Sequence, residues 1–236
     1  MARHLKRLSA PGFWKVPKKG RTWVVSPRPG PHKRTECIPL MIIMRDILKL
    51  GDTAREARKI MTSKEILVDG KPRRDTNYPV GLMDTIEIPK LNKYYRMVST
   101  PRGLSLIEIP KDEAKLKLCR IKDKTITKGG ILQLNLHDGK NILIEDKKAK
   151  YNTGDSLLIQ VPEQKITKHL KMDKGSVAII TSGQNIGKVA KIKDIVIRRT
   201  REPNKVICEG KEKEFEAIID YVFVVGENKP EIKVVQ

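Results

Sequence analysis

Aromatic side chains make up 4% of this 236-residue sequence, and cysteine occurs three times. Cys37, Cys119 and Cys208 lie far apart, with no Cys-x-x-Cys pair. An odd, scattered set excludes a disulfide framework and a paired-cysteine zinc site, and it fits reduced thiols in a cytosolic protein. The four histidines are equally dispersed, so no metal and no cofactor is expected. So few aromatics argue against a protein that stacks base after base on ring platforms. Long apolar runs are missing as well. "IPLMII" at 38–43 falls far short of the ~20 residues a spanning helix needs. "MARHLKRLSAPGFW" lacks the continuous apolar stretch of a secretory signal. No membrane partner is expected.

Positive charge is what the chain has in excess. It carries 49 Lys and Arg against 28 Asp and Glu, a formal net charge of +21. A surplus of that size selects nucleic acid, an anionic membrane or an acidic protein as partner, and without an anchor the composition favours a soluble intracellular protein that binds nucleic acid. With 39% hydrophobic residues there is material for real cores, in one or two ordinary domains or three small ones.

Acidic residues are absent before Glu36, while residues 1–36 hold ten Lys or Arg. Five prolines and three glycines break any periodicity there, and such a segment alone in water would be mostly disordered. Disordered tails rarely keep tryptophan, yet Trp14 and Trp23 lie inside it. The segment reads as an arm that becomes ordered on RNA, with cations on phosphates and tryptophan covering a base, a sugar or its own domain. Its candidate contacts are Arg3, Lys6, Arg7, Lys15, Arg21, Arg28, Lys33 and Arg34.

From Ile38 the texture changes. "IPLMIIMRDILKLG" has helical apolar spacing and a Gly51 stop, and Thr53 to Glu56 forms a capping box that opens a second helix. Arg55, Arg58 and Lys59 lie at i, i+3 and i+4 on that helix, opposite Ala54, Ala57, Ile60 and Met61. Alone, such a stripe is usually a solvated face. It is followed by "EILVDGKPRRD", whose Asp69-Gly70 suits a type I′ hairpin and whose return strand carries Lys71, Arg73 and Arg74. Like charges that close repel, so an outside counter-charge is expected. Helix stripe and hairpin together read as one positive surface on a compact α+β domain.

Residues 93–172 are strand-rich: "LSLIEI", "LCRI", "ILQLNL", "NILIE", "SLLIQV" and "KITKHL" are separated by turn signals. "KDEAKLKL" at 111–118 is the one expected helix. His137 beside Asp138 has no second carboxylate, nucleophile or metal partner nearby in sequence, and reads as a turn histidine. No catalytic residue is expected. At 174–195 a strand leads through "SGQNIGK" into another strand. The loop fails as a nucleotide-hydrolase phosphate loop: it is one residue short, lacks Ser or Thr after the lysine, and enters no helix. Asn185, Lys188, Arg198 and Arg199 are the candidate RNA contacts here.

Residues 50–88 resemble the small RNA-binding domain shared by a bacterial small-subunit ribosomal protein, some pseudouridine synthases and tyrosyl-tRNA synthetases. Ala54, Glu56, Ala57, Ile60, Val68-Asp69-Gly70-Lys71, Asp75, Pro79 and Asp84-Thr-Ile86 carry that likeness. Gly175, Val177, Ile180, Gly183, Gly187 and Lys188 resemble a KOW motif, although Ser182 and Ala190 stand where glycine is common. Taken whole, "HLKRLSAP", "PRPGPHK", "ECIPL", "VDGKPRRD", "YPVGLMD", "NIGKVAKI" and "VFVVGENKPEI" resemble the S-four-e family of archaeal and eukaryotic small-subunit ribosomal proteins. That resemblance implies a multi-domain α+β protein. Its parts would be a basic arm (1–37), a two-helix plus β-hairpin RNA-binding domain (38–92), a central antiparallel β-domain (93–172) and an SH3-like KOW barrel (173–236). It also implies a cytoplasmic, ribosome-bound structural component that contacts small-subunit ribosomal RNA and neighbouring ribosomal proteins, with no catalysis and no small-molecule substrate. An RNA-modifying enzyme and a KOW-type transcription or elongation regulator are the alternatives.

Overall fold

The computed structural model describes residues 4–144, 150–198, 200, 202–210 and 213–234. The chain falls into two compact units, one running to residue 97 and including 102–115, the other holding 98–101 and everything from 116 onward.

In the first unit the basic arm is built into the core. β1 (Leu5–Lys6) pairs antiparallel with β2 (Trp23–Val24). Leu5, Ala10, Trp14 and Val16 are buried in the same cluster as Ile38, Leu40, Met61 and Ile86. Trp14 is 2% exposed and its indole Nε1 donates to the Cys37 carbonyl at 2.9 Å. Trp14 thus covers its own domain, one of the three roles expected for tryptophan in the arm. Proline and glycine abolish periodic structure, but they do not prevent an irregular path from being fixed by individual contacts.

Further along, His32 Nε2 lies 2.9 Å from Asp84 Oδ2, which also accepts the Gly81 N–H at 2.9 Å. A Cβ on Gly81 would lie 2.3 Å from His32 Cγ, so only glycine lets the arm close down there.

β3 (Cys37–Pro39) enters α1 (Leu40–Ile42), which continues as a π-helical turn over Ile43–Ile47 with the Leu48 N–H donating to the Ile43 carbonyl. The expected helix is therefore present but not regular. Leu40 to Met44 are all buried, so it lies inside the unit and not along an edge. α2 (Ala54–Thr62) opens with the capping box: Glu56 N–H donates to Thr53 Oγ1 at 3.2 Å, and Thr53 N–H to Glu56 Oε2 at 3.4 Å.

β4 (Leu67–Val68) and β5 (Lys71–Pro72) pair with Val68 opposite Lys71. Asp69 and Gly70 have φ of 52° and 69°, the two positive values a type I′ turn requires. β6 (Pro79–Gly81) pairs with β3. β7 (Thr85–Ile88), β8 (Lys93–Thr100) and β9 (Gly103–Glu108) complete a sheet ordered β5-β4-β7-β8-β9. α3 covers only Lys111–Ala114, shorter than the expected 111–118. Lys117 and Leu118 instead pair with Ile159 and Leu158, and tertiary strand pairing outweighs the local helical preference.

The second unit holds two five-stranded antiparallel sheets. β10 (Leu116–Ile126), β11 (Leu132–Leu136), β12 (Asn141–Ile144), β13 (Ser156–Gln160) and β14 (Lys165–Leu170) are ordered β12-β11-β10-β13-β14. Cys119, Ile121, Leu134, Leu136, Leu157 and Ile159 form its core. β15 (Val177–Ile180), β16 (Val189–Val196), β17 (Lys205–Glu209), β18 (Glu214–Ile218) and β19 (Val222–Gly226) are ordered β18-β17-β16-β15-β19.

Candidate nucleic-acid interface

The first unit carries 25 Lys and Arg against 12 Asp and Glu, the second 24 against 16.

On α2, Arg55, Arg58 and Lys59 are exposed, and among the described residues none of them forms an ion pair. The capping box fixes where the helix begins and so which way this stripe points. On the hairpin, Lys71 and Arg74 are exposed and equally unpaired. Arg73 behaves differently. It is half-buried, its guanidinium stands 4.5 Å over the Tyr78 ring, and its backbone N–H donates to the Ile66 carbonyl. The cation that looked most like its neighbour in sequence is partly a structural one.

The arm adds Lys6, Lys15, Arg21 and Arg34, all exposed and without an ion pair among the described residues. Arg28 reaches Asp75 at 3.4 Å and Lys33 reaches Glu36 at 3.6 Å, exposed pairs of little energetic weight. Arg28 N–H donates to the Asn77 carbonyl and Asn77 Nδ2 to the Ser26 carbonyl. That lays the arm beside residues 75–77, just past the hairpin's return strand. No hydrogen bond or ion pair among the described residues joins the α2 stripe to the hairpin.

Arg7 is turned inward at 8% exposure, with Nη1 donating to the Pro17 carbonyl at 2.9 Å and Nε to the Trp23 carbonyl at 3.3 Å. Lys18, which sequence reasoning passed over, donates to the Arg7 and Ala10 carbonyls and holds the same loop.

In the second unit five surface cations among the described residues are paired, while others, Lys122, Lys128, Lys165, Lys171 and Lys191 among them, are exposed without an ion pair. Lys168 pairs with Glu231, Lys174 with Asp194, Lys193 with Glu214 and Lys205 with Glu216. Arg198 pairs with Glu202, and its N–H donates to Asn204 Oδ1. Lys188 is exposed, donates to Asn185 Oδ1 at 2.9 Å and lies 5.7 Å from the Phe215 ring centre. Gly187 in that loop has φ of 79°, and a Cβ there would sit 2.7 Å from Thr100 Cα. Arg3 and Arg199 lie outside the described residues.

Ligand atoms of Cys119, His137 and Asp138 come within 4.8 Å of one another. The cluster suits ion pairing better than a metal. Asp138 Oδ2 is held by Lys117 Nζ at 3.0 Å and Lys140 Nζ at 3.3 Å, while His137 Nδ1 accepts the Arg120 N–H. Burial alone would raise the Asp138 carboxyl, but the Lys117 ammonium, with His137 and Lys140, outweighs it and holds the group well below the usual range. All three cysteines are buried. Burial, then the charges of Asp84 and Glu36, push the Cys37 thiol up to about 12, and burial pushes Cys208 up to about 11. Burial and a raised thiol make Cys37 and Cys208 packing residues.

Known proteins resemble this chain along most of its length. The RS4NT (NUC023) domain model matches residues 1–35 and the S4 domain model residues 38–86, so an S4 domain match follows directly on an N-terminal domain match. The model described as Ribosomal family S4e matches residues 91–166. The small ribosomal subunit protein eS4 of Archaeoglobus fulgidus is 48% identical over 94% of this chain and 93% of its own length. The protein of that name from Methanocaldococcus jannaschii is 46% identical over 98% and 97%. The chain belongs to ribosomal family S4e. The crystal structure of the 30S ribosomal protein S4e from Thermoplasma acidophilum is 35% identical, with a TM-score of 0.69 over 81% of this chain and 96% of that one.

Proposed function

We propose that this protein is a structural constituent of the small ribosomal subunit, bound to its ribosomal RNA through basic surfaces and supporting subunit assembly and translation. The observation that carries this is the presence on the first unit of exposed cations without an ion pair among the described residues, including Lys6, Lys15, Arg21, Arg34, Arg55, Arg58, Lys59, Lys71 and Arg74. A phosphate backbone supplies the missing counter-charge, and each contact releases condensed counterions. A-form RNA hides its base edges, so backbone, shape and 2′-hydroxyls are what these side chains read. Arg3, Arg28, Lys33, Arg73, Asn185, Lys188, Arg198 and Arg199 complete the proposed contacts, with Arg7 setting the arm's shape.

The C-terminal sheet is read as an SH3-like KOW barrel from residue 173 onward. The strand–glycine loop–strand of β15 and β16, with β19 returning beside β15, supports that reading. The arm at 1–37, the RNA-binding domain at 38–92 and the central β-domain at 93–172 are the other functional parts. Neighbouring small-subunit proteins are the remaining partners, and the ribosome-bound cytoplasmic pool is the protein's location.

Gradient fractionation of cell lysate tests the assignment. The protein is expected to run with small subunits and to stay there through a moderate-salt wash. A wholly ribosome-free protein would overturn it.

A further inference from the structure

The sequence contains two tryptophans, and the fold treats them in opposite ways. Trp14 is 2% exposed and donates its indole N–H to a buried carbonyl. Trp23 is 56% exposed, and its indole N–H has no partner among the described residues. Leaving so large an apolar ring in water forgoes the stabilisation that burial would supply. In a chain with so few aromatics, that position calls for an occupant.

The surroundings of Trp23 are cationic and its backbone is held in place. Lys6 is its cross-strand partner in the β1–β2 pair, Arg21 is two residues away along the chain, and both are exposed without an ion pair among the described residues. The His4 ring flanks the indole at 5.6 Å between centres, tilted by 57°. Beneath it, Arg7 N–H donates to the Thr22 carbonyl at 2.9 Å and Arg7 Nε to the Trp23 carbonyl. Arg7 is thus a positioning residue, spending its guanidinium on the strand that carries the indole. A flat π-face with a free N–H at its edge, rigid below and bordered by unpaired cations, matches a nucleotide: ring for base, ammonium and guanidinium for the flanking phosphates. A protein-docking tryptophan is more usually set among apolar neighbours, where lysine is depleted.

We infer that Trp23 is a stacking platform for one unpaired RNA base, with Lys6 and Arg21 on the adjoining phosphates and Arg7 fixing the strand beneath. The inference rests on the RNA-binding reading above and adds to it a preference for an unstacked nucleotide, which charge alone does not confer.

The test uses the full chain and two probes, a mixed-sequence 20-base-pair RNA duplex and the same duplex carrying one unpaired adenosine. The parent protein is expected to bind the bulged duplex more tightly, with tryptophan emission quenched by it and not by the plain duplex. Trp23→Ala should lose about tenfold in affinity for the bulged duplex, little for the plain one, and none of the salt slope. Trp23→Phe should keep most of the preference. A parent that shows no preference and no quenching overturns the inference. So does Trp23→Ala binding both RNAs as the parent does while failing to enter small subunits, which would assign the indole to a protein neighbour. A parent that binds neither duplex with any salt dependence would instead sink the RNA-binding reading itself.

Discussion

Adjacent arginines of the hairpin do different work. Arg74 projects into solvent without an ion pair among the described residues, whereas Arg73 lies over Tyr78. Arg74→Ala should lower the slope of log affinity against log salt by about 0.9 on duplex RNA and leave the melting temperature alone. Arg73→Ala should also cost about 0.5–1 kcal/mol of stability through the lost cation–π contact. Salt-dependent binding and thermal melts on the two variants separate these effects.

A second residue-scale prediction concerns Gly81. Its alanine variant drives a methyl into His32, so it should cost about 1–3 kcal/mol and open residues 4–35 to protease. Limited proteolysis reads this directly, and adding His32→Ala should restore part of the protection. Sequence reasoning ranked the arm's cations by type and could not sort them by direction. Arg7 turns in while Lys6 turns out, and Trp14 is core while Trp23 is surface. Those differences come from partners such as the Cys37 and Pro17 carbonyls, which no local pattern announces.

Elements whose geometry is set by their own residues were legible. The Asp69-Gly70 hairpin and the Thr53–Glu56 capping box appear where turn and cap chemistry place them, because each is closed by contacts within a few positions. Thr53→Ala should cost about 1 kcal/mol, measurable by denaturant unfolding. β8 was missed, since Lys93, Arg96 and two tyrosines blur its alternation, and it is a strand because β7 and β9 pair with it on either side. The overlong α3 has the same cause.

β10 also carries a charge that no periodicity could interpret. Lys117 is buried, and its ammonium lies on Asp138. Asp138→Ala strips that carboxylate away and should cost about 3–5 kcal/mol, while Lys117→Met with Asp138→Leu should recover most of it. The Asp138 carboxyl titrates lower in the folded protein than in the unfolded chain. Its contribution is therefore complete above about pH 4 and is lost as the pH falls further, so acid unfolding of the parent should be steeper than that of the double variant.

Across the whole molecule, exposed cations without an ion pair occur on both units among the described residues, while Lys174, Lys193 and Lys205 of the second are each held on a carboxylate. Replacing Arg55, Arg58 and Lys59 by glutamine should lower the salt slope of RNA binding by about 2–3. The same change at Lys174, Lys193 and Lys205, each already on a carboxylate, should alter it by less than about one. Equal losses would show that local pairing does not decide which cations meet RNA. The docked arm also sets a schedule for synthesis. His32 leaves the ribosome 52 residues before the Asp84 that receives it, a delay of roughly 3–10 s at ~5–20 residues per second. Over that interval the most cationic stretch of the chain has no surface of its own to lie on. The newborn protein thus carries its most basic segment for several seconds before the carboxylate that closes down on it has been made.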